Sequence, residues 1–409
     1  MEKCIAIIGT LDTKGREFKF IKDAIEGNGL QTLVIDTGVM GGAAFTADIA
    51  SEEVALAGGK SLEALREARD RGMAMDVMMT GARKVLEDLY EAGAIHGVIG
   101  MGGSAGTTIG SYAMQGMPVG FPKMMVSTVA SGDTSPYVDV KDITMMYSVV
   151  DISGVNSLSK VILSNAADGI SGMVLLAKAM EIEEKPLIGA TMFGVTTPAV
   201  TAAREYLESK GYEVLVFHAT GSGGRAMESL IEAGYIKGVL DVTTTEWCDE
   251  LMGGVLSAGA HRLEAAARKG IPQVVSTGAL DMVNFGPYQT VPEHYKSRNL
   301  YKHNATITLM RTTPEENRQL GSVIAAKLNE SKGKTVLFLP LKGVSMIDVE
   351  GQPFYDPEAD RVLFETLQAE IDPGIVTVEA MDTDINDPAF AIAMAKRLID
   401  LMEVQSSEN

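Results

Sequence analysis

The sequence predicts an α/β protein made of two similar doubly wound, Rossmann-like domains with parallel sheets. Short apolar, β-branched runs alternate with amphipathic stretches along all 409 residues, the pattern of strand–helix–strand units. The segment Leu89–Val98 (LYEAGAIHGV) recurs as Leu230–Val239 (LIEAGYIKGV), with seven of ten positions identical. A further echo is Val-Ser-Thr, at Val126–Thr128 and Val275–Thr277, preceded each time by a Gly-x-Pro turn at Gly116–Pro118 and Gly270–Pro272. Echoes in the same order are the mark of an internal repeat.

In chain order, Cys4–Ile8 and Leu33–Ile35 read as buried strands. Between them Glu17–Gly27 reads as a helix, with Phe18, Ile21, Ala24 and Ile25 at helical spacing and Asn28-Gly29 ending it. His96–Met101 is a further strand, and Asn156–Met180 is mainly helix. The polar break near Glu181–Pro186 divides the chain into domains 1–183 and 184–409. The second domain repeats the unit: strand Leu187–Ala190, a helix capped by Thr197 with Pro198 in its first turn, and strand Val214–Phe217. Thr313-Pro314-Glu315-Glu316 opens a helix to Asn329 with a capping-box pattern. Strand Thr335–Leu339 and helix Pro388–Met402 follow, with a frayed polar tail from Val404.

Composition narrows the partners. The formal net charge is −19, which argues against a polynucleotide or an anionic membrane. It leaves room for a small anion in a local pocket. Two cysteines, Cys4 and Cys248, build no disulfide framework. Neither a signal peptide nor a roughly 20-residue apolar span is visible, so the expected setting is the cytoplasm.

In open parallel sheets ligands bind beyond the carboxyl ends of the strands. After the first strand comes Gly9-Thr10-Leu11-Asp12-Thr13-Lys14-Gly15. Asp12 or Thr13 can cap the next helix and Lys14 can meet a phosphate; an ordinary cap with a solvated lysine reads equally well. After His96–Met101 comes Gly100-Met101-Gly102-Gly103-Ser104-Ala105-Gly106-Thr107-Thr108. This is neither the dinucleotide fingerprint nor a P-loop. Its glycines still let backbone N–H groups approach an anion, with Ser104, Thr107 and Thr108 as hydroxyl donors. The bland alternative is a tight turn. His218–Arg225 and Gly38–Gly42 follow the same logic after the second strand of each unit. Arg71 and Lys123 lie near predicted turns and each alone reads as a surface charge. In the second domain Thr243–Glu250, then His261 and Asp281, supply titratable groups at strand ends. Glu246, Cys248, Asp249, His261 and Asp281 are therefore the candidate catalytic set. No tight metal-ligand spacing accompanies them, so the metal is unknown, and a lone cysteine is as well read as a packed residue.

Several of these stretches together resemble a known family: Gly9–Lys14, Gly97–Thr107 (GVIGMGGSAGT), Phe121–Gly132 (FPKMMVSTVASG), Val149–Ile152 and Ile162–Ala166 (ILSNA). It is the family of the ATP-binding region of the tomato mosaic virus resistance protein and its uncharacterised bacterial relatives. The resemblance covers nearly the whole chain. It implies two doubly wound domains, ATP (with or without Mg2+) as ligand, and a homodimer or higher homo-oligomer. Carried over by motif, the nucleotide contacts are Asp12, Thr13, Lys14, Arg71 and Gly102, Gly103, Ser104, Ala105 and Gly106; Thr107 joins them from the loop's own hydroxyls. The family's loop often reads GGSGGT, and Ala105 replaces one glycine here. The plant protein has a further barrel domain, so antiviral activity does not carry over. The expected function is nucleotide binding, with a small-molecule site in the cleft between the domains. The alternative is a metabolic enzyme acting on a small anionic phosphate or carboxylate metabolite with acid/base residues from the second domain.

Overall fold

Strands whose successive residues are all apolar need cover on both faces, and the computed structural model supplies it. It describes residues 2–177 and 185–408. The chain divides into two compact units, Met1–Glu181 and Ile182–Asn409. The expected boundary at 183/184 lies outside the described residues. The helix expected to reach Met180 ends at Leu175, and residues 178–180 lie outside the described residues.

In the first unit the strands are β1 (Cys4–Gly9), β2 (Gln31–Asp36), β3 (Gly97–Gly102), β4 (Lys123–Ser127) and β5 (Thr144–Tyr147). They pair all-parallel in the order β2-β1-β3-β4-β5. Ile5 and Ile7 face the helices Leu11–Gly27 and Ser157–Leu175, with Ile21, Leu163 and Ile170 in the same core. Ala6 and Ile8 point the other way, to Arg71–Glu91 and Ser104–Gln115, with Met78, Ala82 and Ile109. Adjacent residues burying opposite faces is the doubly wound arrangement.

The second unit has β6 (Leu187–Met192), β7 (Glu213–His218), β8 (Gly238–Thr243), β9 (Gln273–Gly278), β10 (Met282–Phe285), β11 (Leu300–Lys302), β12 (Thr308–Arg311), β13 (Thr335–Pro340) and β14 (Val376–Met381). Its main sheet runs β7-β6-β8-β9-β13-β14, again parallel throughout. The first four positions repeat the order of the first unit, and the echoed segment leads into β3 in one and β8 in the other. Strands β10, β12 and β11 form a separate antiparallel sheet, which the sequence reading left unassigned because strands of three or four residues carry little periodicity.

Local differences have local causes. Thr196, not Thr197, stands at the N-cap position of Thr197–Ser209. The final helix continues from Pro388 to Glu408, so the expected frayed tail from Val404 is helical. Lys123 is no surface charge: it is 1% exposed and donates to the carbonyls of Pro118 and Phe121 while pairing with Asp142. Thr313 and Glu316 make the expected reciprocal capping box. Among the described residues no helix is long and apolar enough to cross a membrane.

Candidate functional site

The strand order reverses between β1 and β3 in the first unit and between β6 and β8 in the second. Such switch points leave a crevice at the carboxyl edge, and the two units fill it differently.

In the first unit, β1 ends at Gly9 and the helix Leu11–Gly27 follows at once. Neither Asp12 nor Thr13 caps it. Asp36, the last residue of β2, does: its Oδ1 accepts from the N–H groups of Leu11 (3.0 Å) and Gly38 (2.8 Å). Asp12 reaches sideways, where its Oδ2 accepts from Met40 (2.9 Å) and Gly41 (3.2 Å). The Thr10 and Thr13 hydroxyls bond each other at 2.9 Å. Lys14 departs from helical geometry (φ −126°, ψ 20°), and its ammonium donates to the carbonyl of Ile152.

Beside it, β3 ends in Gly102 and the helix Ser104–Gln115 begins. Gly102 has no room for a side chain: a Cβ there would lie 2.8 Å from the Gly106 Cα. No side chain caps this helix. Thr107 N–H bonds the carbonyl of Gly103 at 2.9 Å, but the N–H groups of Ser104, Ala105 and Gly106 have no partner among the described residues, as the first turn of a helix leaves them. Their dipoles favour an anion. The threonine hydroxyls are taken up within the unit: Thr107 Oγ1 sits buried 2.7 Å from Ser127 Oγ, and Thr108 Oγ1 donates to Ser104 O at 2.8 Å on the exposed side. They brace the turn, while Ser104 is exposed. Thus Asp12–Lys14 and Gly102–Thr107 meet at one edge because β1 and β3 are neighbours. Arg71 is exposed at the start of its own helix, with no bond to either turn among the described residues.

The second unit seals the equivalent edge with its own charges. The Glu246 carboxylate occupies the place an anion would take. Its Oε1 accepts from Gly221 (2.7 Å) and Gly224 (3.1 Å), and its Oε2 from Arg262 Nε (2.7 Å). Arg262, 1% exposed, also forks onto both oxygens of Asp241 at 2.6 and 2.7 Å. Asp241 accepts from the Thr191 hydroxyl at 2.6 Å as well. The glycine loops His218–Arg225 and Gly38–Gly42 therefore already hold a carboxylate of the chain, Glu246 in one and Asp12 in the other.

The remaining candidates divide. Cys248 is fully buried in an apolar cluster with Leu280 and Val283, where burial and then the charges of Asp249 and Asp281 push its thiol well up. Asp249 accepts from Asn284 N–H and Nδ2 at 2.6 and 2.9 Å. Burial nevertheless pushes its carboxyl up to about 7. Asp281 accepts from the Ser345 hydroxyl at 2.8 Å, its Oδ1 is buried without a partner, and burial raises its pKa. His261 stands apart: its side chain is 85% exposed and pairs with Glu264. The structure thus gathers Glu246, Cys248 and Asp249 on one short helix with Asp281 close by, all beneath the surface, and leaves His261 outside. A second buried arginine, Arg311, joins Asp348 and Asp360 at 3.0 and 2.8 Å. No motif announced Arg262, Arg311 or their partners; a charged residue inside an apolar stretch was the available signal. Among the described residues no group of three or more His, Cys, Asp or Glu side chains is placed to hold a metal ion.

Models of the uncharacterised protein family UPF0261 match residues 3–179 (N-terminal domain) and 185–402 (C-terminal domain). A UPF0261 protein of Clostridium tetani is 63% identical over 404 residues, covering 98% of this chain and all of that protein. The tomato (Solanum lycopersicum) ToMV resistance protein Tm-1(GCR237) is 45% identical over 337 residues, 81% of this chain but 45% of the plant protein. Among solved structures, UDP-N-acetylglucosamine 2-epimerase from Rickettsia bellii aligns over 99% of this chain and 96% of its own, at 9% identity and a TM-score of 0.23, a likeness too weak to bear on function.

Proposed function

The chain belongs to the uncharacterised protein family UPF0261, and from that premise we propose that it is a nucleotide-binding protein, holding the phosphates of ATP at the carboxyl edge of β1 and β3. The observation that carries the reading is the uncapped start of Ser104–Gln115. Its unpartnered N–H groups sit on a glycine turn at a strand-order switch, with the Lys14 ammonium of the neighbouring turn bonded to a neutral carbonyl rather than to a carboxylate. A bound phosphate would satisfy those donors, and Lys14 would gain a charged partner by leaving Ile152. Backbone donors also explain how a chain of net charge −19 could take an anion. Asp12 then acts through the Met40–Gly41 turn rather than on phosphate. In the same reading the protein is a cytoplasmic homo-oligomer, and the nucleotide binds with or without Mg2+.

The enzyme alternative draws its support from Asp249, whose carboxyl titrates near neutrality. Against it stand the burial of Glu246, Cys248, Asp249 and Asp281 and the distance of His261 from a common point. Calorimetric titration with ATP tests the main reading. Wild type binds, and Lys14→Met weakens binding about tenfold or more, the scale of one charge-assisted hydrogen bond. No heat with ATP, or an unchanged affinity in Lys14→Met, would count against it.

A further inference from the structure

The end of β2 carries a group that the glycine-loop reading passed over. Asp36 is 4% exposed, and its Oδ1 is already committed to Leu11 and Gly38. Its Oδ2 takes no hydrogen bond from the described residues, and it is not among the sealed, unpartnered atoms. Asp36 lines a groove of about 590 Å3 together with Gly41, Gly42, Thr46, Ser51 and Glu52. The register pairs Gly9 with Asp36, so this carboxylate lies one strand from the Lys14 turn and two from the Gly102 turn. Two strand spacings are about 10 Å, within the span of a nucleoside triphosphate.

The chemistry of the wall selects what fits. A carboxylate with a spare acceptor oxygen repels phosphate and welcomes hydroxyl donors. Glu52 adds a second acceptor to the wall. Arg66, on the same wall, is occupied by the carbonyls of Val39 and Gly41. Burial raises the Asp36 pKa, its two backbone donors pull part of that back, and the charges of Asp12 and Glu52 add to the rise. In doubly wound nucleotide sites, an acid at the end of the second strand accepts from a ribose hydroxyl.

We infer that Asp36 Oδ2 accepts a hydrogen bond from a ribose hydroxyl, so that the groove takes the sugar and the site selects ribonucleotides over deoxyribonucleotides. This rests on the nucleotide reading of the same edge. It assigns the phosphates to the Gly102 turn and the sugar to β2.

The test is calorimetry with ATP, 2′-deoxyATP, 3′-deoxyATP and inorganic tripolyphosphate on wild type and Asp36→Asn. The asparagine keeps an acceptor for Leu11 and Gly38 and replaces the other oxygen by a donor. Wild type is expected to bind ATP about tenfold more tightly than at least one deoxy analogue. Asp36→Asn is expected to erase that difference while binding tripolyphosphate as wild type does. Equal binding of all three nucleotides by wild type overturns the ribose assignment and leaves the phosphate site standing. No binding of any nucleotide or of tripolyphosphate overturns both. Should circular dichroism show Asp36→Asn unfolded, the wild-type comparison decides alone.

Discussion

Replacing Arg262 by methionine removes the charge that holds the carboxyl edge of the second unit together. The methionine fills much of the arginine stem but leaves Asp241 and Glu246, each 1% exposed, without their cation. Asp241 keeps the Thr191 hydroxyl and Glu246 keeps the N–H groups of Gly221 and Gly224, so neither is wholly abandoned. Removing one partner of a buried ion network costs about 3–5 kcal/mol, which for a unit of this size lowers Tm by roughly 10 °C. Urea unfolding followed by fluorescence of Trp247, the single tryptophan, reports on the right place, since it neighbours Glu246. Arg361→Met is the control: its pairs with Glu358 and Glu365 are exposed, and their loss should leave the unfolding midpoint nearly unchanged. A loss under about 1 kcal/mol at pH 7 would refute the view that this network is a sealed ionic plug.

Three further outcomes follow from the same structure. The Asp249 carboxyl is raised in the folded state, so folding favours its proton; wild type should lose stability relative to Asp249→Asn as pH rises from about 4 to about 7, by up to about 4 kcal/mol, measured by urea titrations across that range. Gly102→Ala drives a Cβ to 2.8 Å from the Gly106 backbone, whereas at Gly103 the nearest atom is 3.7 Å away; thermal melts should show the first costing about 1–3 kcal/mol and the second little, with ATP affinity falling in the first. Cys248, fully buried, should resist iodoacetamide in the native protein and react only on unfolding, while the partly exposed Cys4 reacts natively; mass spectrometry separates the two.

The main sheets were legible because their strands are apolar on both faces and because Leu89–Val98 and Leu230–Val239 mark equivalent places in two units. The nucleotide candidates were partly legible: Lys14 and the Gly102 turn lie where the strand order reverses, and glycine density pointed there. What local sequence could not reveal was which side chains the fold turns inward. Lys123 looked like a turn lysine because its carbonyl and Asp142 partners come from surrounding loops. Glu246 looked like an acid at a strand end, yet Gly221, Gly224 and Arg262 converge on it from two other segments. Asp36 carries no motif of its own: it ends β2, and Leu11, whose N–H it accepts, lies 25 residues earlier in the chain. In each case the deciding contact spans a gap that periodicity and spacing do not measure.

Hydrogen exchange of the Ser104–Gly106 amides with and without ATP tests the central claim most directly. Without ligand these amides have no partner among the described residues and should exchange among the fastest in the first unit. The account predicts marked slowing at Ser104, Ala105 and Gly106 when ATP is added, with no change at Gly221 and Gly224, which already hold Glu246. Unchanged exchange at Ser104–Gly106 under saturating ATP, or protection confined to the second unit, would contradict it.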